Sequence, residues 1–169
     1  METFSELLES DHRRLDAIAG DLYAMIEDGE LERAEGAFAD LDEGLRRHIR
    51  VEEEVLFPLF DQRTLMIGPS RVMRHEHRAI ERMLSDLGRA LGKCNQPDAA
   101  AALNELLHTL EQHNLKEERV LYPHTDRALP DDERRVQVAR AAALLTPSRS
   151  TSPTASPDPP PAPRRGAAA

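Results

Sequence analysis

Apolar residues recur along most of the chain at alternating steps of three and four, the spacing that lines one face of an α-helix. Leu8, Leu15, Ala19, Leu22 and Ile26 mark a first helix over residues 4–27. A capping-box pattern, Thr3-x-x-Glu6, opens it and Asp28-Gly29 closes it. Phe38, Leu41, Leu45, Val55 and Leu59 mark a second helix over residues 31–60. Met73, Ile80, Leu84, Leu87 and Leu91 mark a third, starting near Pro69; Leu103, Leu106, Leu110 and Val120 mark a fourth, starting at Pro97. Short connections make successive helices antiparallel neighbours. The pattern therefore predicts an all-α fold, an up-down-up-down antiparallel four-helix bundle over residues 1–130. Residues 131–145 predict a short extra C-terminal helix with acids in its first turn, and the Pro/Ser/Ala-rich residues 146–169 predict a disordered tail. Gly36 and Gly44 each weaken the second helix by about 1 kcal/mol relative to alanine, so packing must hold it.

Polar residues interrupt the apolar seams at six core-facing positions: His12, His48, Glu52, His77, His113 and Glu117. They repeat. A shift of 65 residues carries His12 onto His77, His48 onto His113, Glu52 onto Glu117 and Pro58 onto Pro123. The flanks follow: Asp11-His12-Arg13 falls on Glu76-His77-Arg78, and Val55-Leu56-Phe57-Pro58 on Val120-Leu121-Tyr122-Pro123. Each half is a helical hairpin with one lone inward histidine and one His-x-x-x-Glu pair, the product of a duplication.

Burying such groups without partners costs several kcal/mol each, which metal ions would offset. Residues four apart on a helix share a face, so His48 with Glu52, and His113 with Glu117, can each serve one site. Four imidazoles and two carboxylates exceed the needs of one structural zinc and suit two metals bridged by Glu52 and Glu117. The donor set favours iron, with manganese or zinc as alternatives. Glu9-x-x-His12 and Glu105-x-x-His108 match another di-metal half-motif but lack its inward glutamates. His75 and His108 are expected at the surface, His124 at the rim, and Glu53 and Glu118 on the solvated face. Tyr23 and Tyr122 read as core packing, with lining or gating the pocket as the alternative; Val55 to Pro58 reads as the bundle floor where the regular helix ends, and Met73 with Leu and Ile as the lining of a mostly dry pocket.

Charge and composition narrow the partners. With a net charge of −9 and interleaved acids and arginines, nucleic acid is not an expected partner. No apolar run approaches the roughly 18 residues of a membrane span, and the first residues lack a basic-then-apolar leader, so a cytoplasmic protein without membrane partners is expected. The single cysteine, Cys94, allows no internal disulfide and no cysteine metal site.

The ordered set His12, His48-x-x-x-Glu52, His77, His113-x-x-x-Glu117, with its Leu-Phe-Pro and Leu-Tyr-Pro flanks, resembles the haemerythrin-like (HHE cation-binding) family over residues 4–127. The resemblance implies a four-helix bundle holding a non-haem, oxo- and carboxylate-bridged di-iron site. The four histidines would ligate iron and the two glutamates would bridge. The oxygen-carrying members have a further histidine where this chain has Met73, and place one bridging carboxylate where it has Glu118, which stands as the alternative to Glu117. With Met73 there, both irons are expected to be similarly open, which moves the expectation away from oxygen carriage. It points to a protein that binds or reacts with nitric oxide, oxygen or peroxide and draws on an electron donor. The alternative is a non-enzymatic iron store or an iron or oxygen sensor.

Overall fold

The computed structural model describes residues 1–146. The Pro/Ser/Ala-rich segment expected to be disordered lies, except for Thr146, outside the described residues. The four seams fold into four long helices: α1 (Phe4–Glu27), α2 (Leu31–Val51), α4 (Ile67–Gly92) and α5 (Gln96–Lys116). Between α2 and α4 lies α3 (Phe57–Thr64); after α5 comes α6 (Tyr122–Ala128), and α7 (Asp131–Leu145) ends the described chain. Among the described residues there is no strand, and no helix is long and apolar enough to cross a membrane.

The hairpin partners α1 and α2, and likewise α4 and α5, pack along their lengths, and the hairpins meet through α1 against α5 and α2 against α4. Apolar side chains collect in two clusters. One, around Leu22, Ile26, Leu41, Leu84 and Leu103, fills the end of the bundle at the hairpin turns. The other, around Phe4, Leu8, Leu56, Phe57, Phe60, Met73 and Tyr122, fills the opposite end, where Val138 and Ala141 of α7 join it. The buried polar residues lie between them.

Local signals fix the ends. The Thr3 hydroxyl accepts from the Glu6 amide as expected, whereas the Glu6 carboxylate accepts from the Glu2 amide. Asp126 of α6 adds a distant cap, accepting from the amides of Phe4 at 2.8 Å and Ser5 at 3.0 Å. Gln96, at the start of α5, donates to the Ile26 carbonyl at the end of α1 at 2.8 Å, locking the two hairpins together. Gly44 has a packing reason: a Cβ there would lie 2.6 Å from Leu15 Cδ2, so its absence lets α1 and α2 close. Gly36 has open space around it and remains a simple cost to α2.

The second and fourth seams depart from regular helix where the repeat is densest. Glu52–Leu56 and Glu117–Leu121 are π-helical turns, in which the Phe57 amide donates to the Glu52 carbonyl and the Tyr122 amide to the Glu117 carbonyl. Pro58 and Pro123 explain the position. A proline has no N–H to give, and its ring would strike the carbonyl four residues back in an α-helix. A widened turn just before each proline relieves that collision and restarts the helix as α3 and α6. Regular α-helix ends at Val51, short of the expected Val55 to Pro58, and the chain runs on helically to Thr64.

Candidate metal centre

Each of the four long helices brings one histidine to the layer between the apolar clusters: His12 from α1, His48 from α2, His77 from α4 and His113 from α5. Glu52 and Glu117 join them at the first residues of the two π turns. All six are buried, with exposures running from 0% for the glutamates to 4% for His113. They form two adjoining groups, His12 with His48, Glu52 and Glu117, and His77 with His113, Glu52 and Glu117. Within each group, one donor atom per residue lies within 4.8 Å of all the others. Both glutamates belong to both groups.

Their contacts cross the hairpins. His48 Nε2 lies 3.5 Å from Glu52 Oε1 and His113 Nε2 lies 3.1 Å from Glu117 Oε1, the two same-helix pairs. His77 Nε2 of the second hairpin is 3.3 Å from Glu52 Oε2, and His12 Nε2 of the first is 3.6 Å from Glu117 Oε2. Glu52 Oε2, His77 Nε2 and Glu117 Oε1 are buried and have no hydrogen-bond partner. Natural proteins rarely leave such atoms unmatched, and here three of them face one another. That is the arrangement expected of donors shaped to hold cations.

The outer face of every imidazole is also accounted for. His48 Nδ1 donates to Asp11 Oδ2 at 2.9 Å, and His113 Nδ1 to Glu76 Oε2 at 2.9 Å. His77 Nδ1 donates to Glu53 Oε1 at 3.0 Å, and His12 Nδ1 to Glu118 Oε1 at 2.8 Å. An ionised carboxylate only accepts, so each pairing places a proton on Nδ1 and aims Nε2 at the centre. Such outer hydrogen bonds fix tautomer and ring orientation at metal sites. The four carboxylates obey the 65-residue repeat, Asp11 with Glu76 and Glu53 with Glu118.

Glu53 and Glu118 stay out of the inner cluster, as expected, but they are not simply solvated. Both side chains are partly exposed, at 38% and 36%, yet each turns back to hold a histidine of a neighbouring helix. Within the second pair, Glu117 is buried at the centre, while Glu118 reaches only the outer nitrogen of His12. Sequence reasoning quoted Asp11 and Glu76 as matching flanks but gave them no role. The signal was present, since a carboxylate beside the lone histidine recurs in both halves. His75 and His108 are exposed and outside the cluster, as expected, and His124 is partly buried, its Nδ1 donating to the Val120 carbonyl.

Electrostatics follow from this packing. Burial works against the charged forms of His48 and His77, but the glutamates outweigh it and raise both to about 10. His113 is raised for the same reason, chiefly by Glu117. Burial favours neutral Glu52, yet His48 and His77 hold it well below the usual carboxylate range. Protons on these imidazoles balance the carboxylates, and cations would replace them there.

The half-sites differ at one position. Phe57 stacks on His77 with ring centroids 5.4 Å apart, whereas its counterpart Tyr122 both packs in the core and turns its hydroxyl into the cluster. A cavity of about 10 Å³, close to the room one water needs, touches His12, His48, Glu52 and His113. Its remaining wall is mostly Leu15, Ala19, Leu41, Leu45, Ile80 and Leu110. Met73, expected to line this space, instead lies in the apolar cluster with Phe57.

A family model, the hemerythrin HHE cation binding domain, matches residues 3–125. No curated protein and no solved structure matches the chain. The match spans both hairpins with all six buried histidines and glutamates, and the chain belongs to the hemerythrin HHE cation-binding domain family.

Proposed function

We propose that this chain is a non-haem di-iron protein that binds or reacts with a small diatomic molecule or peroxide, nitric oxide first among them. One observation carries the reading: four imidazole nitrogens and two shared carboxylates converge in a buried layer that leaves three donor atoms without partners. His12 and His48 would hold one ion and His77 and His113 the other, with Glu52 and Glu117 spanning both. Imidazole and carboxylate without thiolate suit iron better than a structural zinc. When bound, the iron pair supplies electrons and exchangeable coordination positions.

The protein's own groups do the rest. Asp11, Glu76, Glu53 and Glu118 keep the Nδ1 protons in place, so the rings cannot turn and Nε2 stays presented. The leucines and Ile80 around the small cavity exclude bulk water and admit only a molecule about the size of water. Such a wall favours an uncharged diatomic over an ion. Repeated turnover would require an electron donor acting from outside the bundle, and the reading calls for neither nucleic acid nor a membrane. The setting is proposed to be cytoplasmic.

The test is anaerobic mixing of the reduced, iron-loaded protein with nitric oxide and, separately, with oxygen, after elemental analysis has fixed its metal content. About two irons per chain and a rapid spectral change with nitric oxide are expected. Two irons with no response to either gas, or to peroxide, would leave an iron store or sensor as the better reading.

A further inference from the structure

Tyr122 is fully buried, and its hydroxyl meets only groups of the metal centre. The oxygen lies 2.6 Å from Glu52 Oε1, 3.2 Å from Glu117 Oε2, 3.2 Å from His12 Nε2 and 3.4 Å from His48 Nε2. Those four atoms belong to the four residues of one half-site. A core tyrosine meeting its hydrogen-bonding need requires one acceptor, and Glu52 alone would serve. Close approach to all four donors asks for another explanation. Donors bound to one small cation at about 2.1 Å stand roughly 3 Å apart when adjacent, which matches the spacing around this hydroxyl.

The other half-site has no equivalent. The repeat puts Phe57 in the matching place, where its ring lies flat against His77 and offers no oxygen. Residues flanking the two aromatics match closely, Val55-Leu56 with Val120-Leu121 and Pro58 with Pro123. The hydroxyl is therefore a local asymmetry imposed on two otherwise equivalent halves.

We propose that Tyr122 is a fifth protein donor to the ion held by His12, His48, Glu52 and Glu117, so that the exchangeable position belongs to the ion held by His77 and His113. Sequence alone left the two ions alike; this oxygen distinguishes them. The small cavity adjoins both halves, touching His12, His48 and Glu52 as well as His113, so the asymmetry rests on the Tyr122 oxygen and not on free space. The inference rests on the reading of the cluster as a two-iron centre, and its test separates the two.

The experiment compares the full chain with Tyr122→Phe and Phe57→Tyr, each loaded with iron and oxidised, by elemental analysis, visible absorption and resonance Raman excited in the visible band. The wild type should bind two irons and show a phenolate-to-iron charge-transfer band with enhanced phenol ring modes. Tyr122→Phe should lose both while denaturant unfolding of the metal-free protein shows it folded, and one of its two iron-binding steps should weaken by at least about tenfold. Azide titration should give one anion per iron pair in the wild type and two in Tyr122→Phe. Phe57→Tyr should strengthen the band and abolish azide binding. Two irons without a phenolate band, or a band that survives Tyr122→Phe, would overturn the assignment of Tyr122 alone. Absence of stoichiometric iron from all three proteins would overturn the two-iron reading and this inference with it.

Discussion

At the scale of single residues, the centre is a set of histidines each held from both sides. The outer carboxylates differ in burial, and that difference orders their expected effects. The Asp11 side chain is 9% exposed and Glu76 23%, against 38% for Glu53 and 36% for Glu118. Water can replace an exposed carboxylate on Nδ1 far more readily than a buried one. Asp11→Ala and Glu76→Ala should therefore cost about 10–100-fold in metal affinity, with Glu53→Ala and Glu118→Ala costing less. Titration against a competing chelator measures this, and equal losses at all four positions would refute the ordering by burial. The raised histidines give a second expectation. His48 and His77 move from 6.5 to about 10 on folding, so their ion pairs support the metal-free fold fully below pH 6.5 and are lost as pH climbs through 10. Glu52 is lowered, so its contribution is present above 4.5 and fades only on acidification below that. Denaturant unfolding of the metal-free protein should show its stability falling between pH 6.5 and 10. Metal affinity should rise over the same interval, because cations displace those protons.

At the scale of elements, the two π turns tie fold to chemistry. Each begins at a central glutamate and ends two residues before a proline, and the widened turn allows consecutive glutamates to serve the site. Glu52 faces the centre and Glu53 reaches His77; Glu117 faces the centre and Glu118 reaches His12. In a regular helix, neighbours along the sequence point about 100° apart, which is why the sequence pattern consigned Glu53 and Glu118 to solvent. The paired substitution Pro58→Ala with Pro123→Ala restores two N–H donors and removes the steric reason for widening. It should raise the stability of the metal-free protein, by up to about 3 kcal/mol per site. Metal affinity should fall at the same time, as the second glutamate of each turn rotates off its histidine. Thermal unfolding and chelator titration of one preparation decide the matter. Lower stability with undiminished metal binding would show the π turns to be incidental.

At the scale of the whole molecule, the apolar seams disclosed the bundle and the 65-residue shift disclosed its duplication, since both are written in residue type and spacing. The six inward residues were legible for the same reason: a histidine or glutamate on an apolar stripe has to be buried. Contacts between helices were not legible. The repeat marks Asp11 and Glu76 as a matched pair, but that they reach His48 and His113, and that the Tyr122 hydroxyl turns inward, depends on rotamers and on which helices adjoin. The molecule that results is layered, with a polar sheet of donors between two apolar clusters and each glutamate contacting the opposite hairpin. Metal removal should therefore loosen the middle layer without dissolving the ends. Each ion at a hundredfold excess over its Kd adds about 2.7 kcal/mol to the folded state, which chelation takes away. Hydrogen exchange should locate the loss. Amides of residues 48–58 and 113–123 should lose protection in the metal-free protein, whereas those around Leu22, Ile26, Leu84 and Leu103 should change little, because their apolar cluster does not depend on the ions. Uniform loss of protection through all four long helices would mean that the ions hold the whole bundle and that the apolar clusters cannot stand without them.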